Sequence, residues 1–286
     1  MVFNSLFYLC AMIYRSLQVL ALACMFFACT NTGKSDAFTP VTISRGEISL
    51  TVEPAIGGRI SSLTFGGVEL LKTTRDSNNL QWGSTAWSSP QADWNWPPPA
   101  AFDAEPFEVM RVDHKSILLE GPRDSVTYLR MRKRFVLGPD NDIGLTYWLT
   151  NEGVSSVNVA LWENTRLPYA GRFEFRADSI RGSLDTLPVA VQDSVYTIYA
   201  DERHVQQQKV FADMPTTSAS YYHKGLVLTK HNLANDFYRV APGQGPLEIY
   251  LDPPAGFVEF ELQGDYRLIS PGQSNNLRAK WSIKRE

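Results

Sequence analysis

The sequence predicts one all-β domain from residue 41 to residue 286, built as a large sandwich or barrel. Short runs rich in Val, Ile, Thr, Tyr and Phe alternate with clusters of Gly, Pro, Asn and Asp, which is the pattern of strands joined by turns. No apolar stretch with helical period is longer than two turns, and no internal repeat or second linker interrupts the region. So many short strands in one region indicate two packed sheets or a closed barrel.

The predicted strands are spread along the whole domain. The Gly-containing segments Phe65–Gly67 and Gly138–Asn141 supply turns between neighbouring strands. In chain order the strands are Glu47–Val52, Arg59–Phe65, Ser116–Glu120, Val126–Leu137, Ile143–Thr150, Ser156–Trp162, Gly171–Phe175, Ser194–Tyr199, Leu226–Lys230, Leu247–Leu251, Phe257–Leu262 and Ala279–Lys284.

The first 29 residues are predicted to be a signal peptide rather than part of the domain. They contain no Asp or Glu and one basic residue, Arg15, followed by the apolar run Ser16–Cys29. The stretch before Arg15 is itself apolar, so Met12 competes with Met1 as the true start. A retained membrane-spanning anchor over Met1–Cys29 is the alternative, because that length can cross a bilayer.

Cys29 is the predicted lipidation site. It ends the apolar run and precedes the polar residues 30–40, which we interpret as a tether. This arrangement resembles the lipobox of bacterial lipoproteins, in which the cysteine is acylated; Cys24 fits less well because apolar residues follow it. We therefore expect a membrane-anchored lipoprotein of the cell envelope, facing the periplasm or the outer membrane. The domain has no Cys, so its stability must come from its core.

Composition argues against several classes of function. With 27 Lys and Arg against 30 Asp and Glu, the net charge is −3, so no nucleic-acid partner is expected. His114, His204, His223 and His231 stand far apart without metal-ligand spacing. The sequence has no phosphate-binding loop or nucleophile elbow. We expect neither a metal nor a cofactor.

The segment Trp82–Pro99 is rich in tryptophan. Pro97–Pro99 favour an extended backbone without N–H donors, so we predict an ordered loop rather than a strand. Indole rings beside amide and carboxylate groups suit pyranose sugars, although the rings could instead close one end of the sandwich. The candidate sugar-binding residues here are Trp87, Gln91, Asp93, Trp94 and Trp96.

The strand Phe257–Leu262 carries two acidic residues on one face. Its period of two places Glu259 and Glu261 together, opposite Val258 and Phe260. Two adjacent carboxylates in a cleft titrate at different pH values, as acid–base catalysis requires. The alternative is a solvated sheet face.

Two other strands carry polar rows. In Val157–Arg166, Trp162 and Asn164 share one face, Glu163 interrupts the apolar face, and Arg166 follows at the strand end. These residues are candidates for binding or catalysis, or Glu163 and Arg166 form an ordinary surface pair. In Val126–Leu137, one face consists of Arg130, Arg132 and Arg134, which suits an acidic sugar, a phosphate or solvent.

The order of these motifs resembles the galactose mutarotase-like (aldose 1-epimerase-like) superfamily. The resemblance rests on Val52–Ile60 with Gly67–Leu71, and on Phe257–Gly264 with Leu268–Ser274 and Trp281. The tryptophan segment, Ala160–Arg166 and Gly171–Phe173 resemble its uncharacterised branch DUF4380, common in bacterial lipoproteins. The resemblance implies a β-supersandwich whose concave sheet binds sugars.

The resemblance also implies a pair of catalytic residues, of which this chain lacks one at the expected position. Family mutarotases open the sugar ring with a His general acid and a Glu general base. The base corresponds to Glu259, with Glu261 as second choice, whereas Trp162–Asn164 stands where the His is expected. Glu163 could replace that acid only if burial raised its pKa.

Three functions remain open at this point. The first, which we prefer, is a lipid-anchored protein that binds a saccharide in the groove of the concave sheet. The second is an enzyme acting on a sugar, as a mutarotase or through paired carboxylates. The third is a structural or interaction protein without catalytic activity.

Overall fold

The computed structural model describes residues 38–74, 81–182, 187–203, 205–214, 218–233 and 239–286. The predicted signal peptide, Cys29, most of the tether and His204 lie outside these ranges. Within them, no helix has the length and apolar character needed to span a membrane.

Short strands account for nearly all of the regular structure. A 3₁₀ turn at Gln91–Asp93 and a short helix, α1 (Ala100–Asp103), follow the fifth strand. In chain order the strands are β1 (Val41–Arg45), β2 (Ile48–Glu53), β3 (Arg59–Phe65), β4 (Val68–Glu69), β5 (Ser84–Ser89), β6 (Glu108–Asp113), β7 (Ser116–Arg123), β8 (Leu129–Leu137), β9 (Asp142–Asn151), β10 (Val157–Pro168), β11 (Gly171–Arg176), β12 (Ser179–Gly182), β13 (Val189–Gln192), β14 (Val195–Ala200), β15 (Gln208–Asp213), β16 (Ser218–His223), β17 (Leu226–Asn232), β18 (Leu247–Asp252), β19 (Phe257–Gln263), β20 (Arg267–Ile269) and β21 (Ser274–Arg285).

The strands form two antiparallel sheets. The first sheet has the order β1-β2-β3-β5-β10-β19-β18-β15-β12, with β4 beside β3 and β20 beside β10. The second sheet has the order β13-β14-β11-β16-β17-β21-β9-β8-β7-β6. The predicted all-β sandwich is therefore confirmed.

The core lies between the two sheets and follows from the alternation of side chains along each strand. In β9 every second residue is buried, and Leu145, Tyr147 and Leu149 belong to one continuous hydrophobic cluster. In β19 the cluster takes Val258 and Phe260. A strand with one apolar face can satisfy all its backbone hydrogen bonds in the sheet while burying that face.

The beginning of the tryptophan segment corrects the prediction of a loop. Ser84–Ser89 is strand β5, which pairs with β10 along its whole length and sets Trp87 opposite Trp162. All of its residues are buried. A strand covered on both faces lacks the polar alternation that identifies half-exposed strands, and its small Ser, Thr and Ala residues hide the signal further.

Candidate functional site

The outer face of the first sheet collects most of the predicted site residues. Because Leu161 and Phe260 point into the core, the alternate residues of β10 and β19 face away from it. The antiparallel register sets Trp162 opposite Gln263, Asn164 opposite Glu261 and Arg166 opposite Glu259. The predicted common face of Glu259 and Glu261 is thus present, but both residues are buried.

Arg166 forms an ion pair with Glu259. The Nε atom of Arg166 lies 2.8 Å from Oε1 of Glu259, and the guanidinium lies 4.9 Å from the ring centre of Trp87. The Arg166 side chain is fully buried, whereas that of Glu259 is 11% exposed. Atoms Nη1 and Nη2 of Arg166 have no hydrogen-bond partner among the described residues. Glu259 is therefore held in place by the ion pair while its side chain remains slightly exposed.

Lys209 joins two further carboxylates on the same face. Its Nζ atom lies 2.7 Å from Glu248 and 2.7 Å from Glu261. It also lies 4.7 Å from the ring centre of Trp162, whose Nε1 donates to Oε2 of Glu261 at 2.8 Å. Sequence reasoning missed Lys209 and Glu248. Glu248 interrupts an apolar run in β18 and could have been noticed, but Lys209 carries no comparable local signal.

The two glutamates of β19 differ in their affinity for a proton. Burial raises the pKa of Glu261 well above its usual value, and the nearby Glu259 and Glu248 raise it further despite Lys209. Burial would also raise the pKa of Glu259, but the charges of Arg166 and Lys209 outweigh it and hold the pKa below its usual value. The opposite shifts mean that Glu261 holds its proton to higher pH than Glu259 does.

Four tryptophans pack beside this cluster. Trp87 meets the rings of Trp94, Trp96 and Trp162 edge to face, with centres 6.0, 6.2 and 5.2 Å apart. Trp94 is fixed by a hydrogen bond of 3.0 Å from its Nε1 to the carbonyl of Ser88. Trp96 is 55% exposed, which is unusual for so large a ring. The tryptophan segment therefore presents one open aromatic surface next to a buried charged cluster.

The aromatic cluster rests on a buried ion pair that sequence reasoning missed. Asp103, in helix α1, accepts a hydrogen bond of 2.8 Å from Nε1 of Trp87. The same Oδ1 atom lies 2.6 Å from Nη2 of Arg59, and both side chains are almost completely buried. No sequence spacing links Arg59 to Asp103, because the fold of the segment between them brings them together.

Glu163 does not join the other candidates. Its side chain points into the core between the sheets, where both carboxylate oxygens lie 2.8 Å from Nζ of Lys230 on β17. Both side chains are fully buried. The alternative of a Glu163–Arg166 surface pair is also corrected, because Arg166 pairs with Glu259 instead. The alternation of side chains along β10 explains both results. Glu163 and Arg166 are three residues apart, so their side chains point to opposite faces of the sheet.

The remaining candidates lie at the edge of the cluster. Gln91 and Asp93 form the 3₁₀ turn that leads to Trp94, with Gln91 half-buried and Asp93 exposed. Partial burial raises the pKa of Asp93. The Asn164 side chain is buried between Trp162 and Arg166 on the same face. Among the described residues no three His, Cys, Asp or Glu side chains form a group that could hold a metal ion.

Comparison with solved structures supports the fold. A galactose mutarotase-like protein from Lactobacillus casei superposes with a TM-score of 0.60 at 12% identity, covering 86% of this chain and 100% of that one. A galactose mutarotase-like protein from Clostridium acetobutylicum gives a TM-score of 0.59 at 11% identity, with 86% and 95% covered. A galactose mutarotase related enzyme from Lactobacillus acidophilus gives 0.57 at 10% identity, with 86% and 97% covered. The chain therefore has the galactose mutarotase-like fold.

A family model described as a domain of unknown function, DUF4380, matches residues 39–284. No match was found among curated proteins. The matched region contains every strand of both sheets, including β5, β10 and β19 that carry the candidate site. The two-sheet fold and this match together establish that the chain belongs to the DUF4380 family, with a galactose mutarotase-like fold.

Proposed function

We propose that the domain binds a saccharide on the outer face of the first sheet. The observation that carries the proposal is the exposed Trp96, which packs against Trp87, the ring that contacts the guanidinium of the Arg166–Glu259 ion pair. The face of an indole ring packs against the C–H groups of a pyranose, while a carboxylate accepts hydrogen bonds from its hydroxyls. Similarity to solved structures named for galactose mutarotase supports a sugar as the ligand class.

Unpaired polar atoms beneath this surface also support a hydroxylated ligand. Both Nη atoms of Arg166, the side-chain amide of Asn164 and Oε1 of Glu261 are buried without a hydrogen-bond partner in the described residues. Each such atom costs free energy until it is paired. A sugar hydroxyl both donates and accepts, so a hydroxyl that reaches these atoms can pair with any of them.

Binding is tested with Trp96→Ala. Calorimetric titration of the full-length chain with D-galactose, and then with other neutral mono- and disaccharides, identifies a ligand. Removing the ring should weaken its binding by about tenfold, which corresponds to about 1.4 kcal/mol. The melting temperature should stay unchanged because the ring is largely exposed. Tyr128→Ala removes another exposed ring and serves as the control. Equal affinity in wild type and Trp96→Ala would contradict the proposal, and no binding by any sugar would favour an interaction protein.

A second function, proton transfer on the bound sugar, is favoured by the opposite pKa shifts of the two glutamates. An ionised Glu259 can accept the proton of an anomeric hydroxyl, and a protonated Glu261 can donate to the ring oxygen. This pair would replace the His and Glu of family mutarotases. The proton of Glu261 would lie on Oε1, since Oε2 accepts from both Trp162 and Lys209.

Proton transfer is tested by the rate of anomer exchange. NMR of a freshly dissolved pure anomer should show faster exchange with wild-type protein than without it. Glu259→Gln should remove that acceleration while the sugar still binds, and Glu174→Gln, a half-buried glutamate of the second sheet, should keep it. Acceleration that persists in Glu259→Gln excludes Glu259 as the base.

Lipid anchoring at Cys29 completes the proposal and places the domain at the cell envelope. The apolar run before Cys29 and the polar stretch after it support this assignment. Cys29→Ser should move the protein from the membrane to the soluble fraction of a bacterial expression host. Continued membrane retention would favour an uncleaved membrane-spanning segment instead.

A further inference from the structure

A groove lies on the outer face of the second sheet. It has a volume of about 580 Å³ and is lined by residues of β6, β7, β8, β9 and the start of β21. Leu118, Val136 and Trp148 are half-buried and form its apolar part. Hydroxyl groups of Thr150 and Ser274 stand at one end. The volume is in the range of small-molecule sites, and the mixture of apolar and polar lining is typical of them.

The lining of this groove is strongly basic. It contains four cations, Arg111, Lys115, Arg132 and Arg134, against the single carboxylate of Asp113. That carboxylate already accepts hydrogen bonds from the backbone N–H groups of residues 115 and 116 and from a serine hydroxyl. The serine hydrogen bond is the main reason that the pKa of Asp113 is lowered. This local excess of positive charge contrasts with the net charge of −3 for the whole chain.

The cations differ in how far they are neutralised. Arg132 pairs with Glu120, whereas Arg111 lies 3.9 Å from Asp113 with a side chain that is 75% exposed, so that pair is weak. For the side chains of Lys115 and Arg134, the described residues provide no ion pair. The sheet register places Arg278 across Thr146 from Arg134, which extends the basic surface.

Only part of the arginine row that the sequence predicts along β8 lies in this groove. Arg130 pairs with Glu152 at 2.6 Å and donates to the carbonyl of Gly121, so it does not line the groove. Arg132 and Arg134 do line it. Arg111 and Lys115 join Arg132 and Arg134 in the lining from β6 and the β6–β7 turn.

We propose that this groove binds an acidic saccharide, a sugar that carries carboxylate or sulfate groups. Guanidinium groups pair with such anions through two parallel hydrogen bonds. The indole of Trp148 offers a surface for the sugar ring, and the hydroxyls of Thr150 and Ser274 can bind its neutral hydroxyls. The site lies on the other sheet from Glu259 and Trp96, so it does not rest on the function proposed above.

The charge and shape of the groove favour an acidic saccharide over two other anionic partners, a nucleic-acid duplex and a lipid surface. A nucleic-acid duplex requires a long basic stripe, usually on a chain with a high isoelectric point, whereas this chain has a pI near 5.9. A lipid surface needs a flat basic patch with protruding apolar groups. Here the apolar residues line a recess with cations at its rim.

The experiment measures binding of the full-length chain to a tetramer of galacturonic acid and to a heparin tetrasaccharide. Maltotetraose is the neutral control. We expect at least one acidic probe to bind and maltotetraose not to bind. Lys115→Gln and Arg134→Gln should each weaken binding by about tenfold, because each removes a charge-assisted hydrogen bond. Lys284→Gln removes one charge from the same sheet outside the groove and should change the affinity by less than about twofold, as expected for a distant exposed charge.

Several results would overturn the proposal. Equal binding of maltotetraose would show that the charges do not select the ligand. An equal loss of affinity in Lys284→Gln would show a diffuse attraction without a site, and an equal loss in Trp96→Ala would assign the acidic sugar to the first sheet. Failure of both acidic probes, with binding to a DNA duplex or to phosphatidylglycerol vesicles, would assign the basic surface to a different class of partner.

Discussion

Replacing Glu163 with alanine should lower the free energy of unfolding by about 3–5 kcal/mol, the cost of leaving one member of a buried ion pair without its partner. Both carboxylate oxygens lie 2.8 Å from Nζ of Lys230, and neither side chain is exposed. Lys230 also donates to Thr165 and to the carbonyl of Phe260, at 2.7 Å each. Without Glu163 the ammonium would keep only these neutral partners. Chemical denaturation with urea measures the loss.

This destabilisation should depend on pH. Burial lowers the pKa of Lys230 to about 8 in the wild type, although Glu163 raises it, so removing Glu163 lowers it further. In the variant, the folded state then releases a proton that the unfolded state still holds, and its stability rises with pH below about 8. The difference from wild type should thus shrink as the pH rises towards about 8.

Two control variants separate the ion pair from other effects. Glu163→Leu combined with Lys230→Met removes both charges and should restore much of the stability, because it leaves no unpaired charge in the core. Glu152→Gln breaks a half-exposed pair with Arg130 and should cost less than about 1 kcal/mol. A Glu163→Ala protein as stable as Glu152→Gln would show that the buried pair contributes little.

Replacing Asp103 with alanine should have an effect of similar size, about 3–5 kcal/mol, because it leaves the buried Arg59 without its carboxylate. It should also weaken saccharide binding. Trp87 loses the acceptor of its N–H, and Trp87 contacts Trp96, which we place in the sugar site. Urea denaturation and calorimetric titration of the full-length chain measure the two effects separately.

Asp103→Asn provides the matched comparison. The asparagine keeps an oxygen for Arg59 and Trp87 but loses the negative charge, so it should cost less stability than alanine and preserve more of the binding. If Asp103→Ala binds the sugar as tightly as wild type, support of the aromatic cluster by Asp103 is not needed for binding. If alanine and asparagine variants are equally stable, the hydrogen-bond acceptor contributes nothing.

Local pattern was sufficient for the class of fold and for single strands. The alternation in Phe257–Leu262 predicted that Glu259 and Glu261 share a face, and β19 confirms it. The alternation in Val157–Arg166 likewise separated Trp162 and Asn164 from Glu163. Side chains point alternately to the two faces of a strand, so the face of each residue can be predicted from its position in the sequence.

Partners across strands were not predictable in the same way. Lys209 meets Glu248 and Glu261 because β15 and β18 are neighbours in the first sheet, although they are separated along the chain by β16 and β17 of the second sheet. Lys230 reaches Glu163 only because the two sheets pack face to face. Strand β5 was missed because burial on both faces removes the alternation that marks a strand.

By itself, then, the sequence determined that this protein is an all-β sandwich, which residues share a face of each strand, and that acidic and aromatic groups are concentrated in a few segments. Only the tertiary structure decided which charges meet and which of them are buried. The physical reason is that periodicity is a local property of the chain, whereas ion pairing and pKa depend on distance and solvent exclusion between strands far apart in sequence. That is why Glu259 and Glu261, equivalent in the sequence, differ in the folded protein, and why Glu163 belongs to the core.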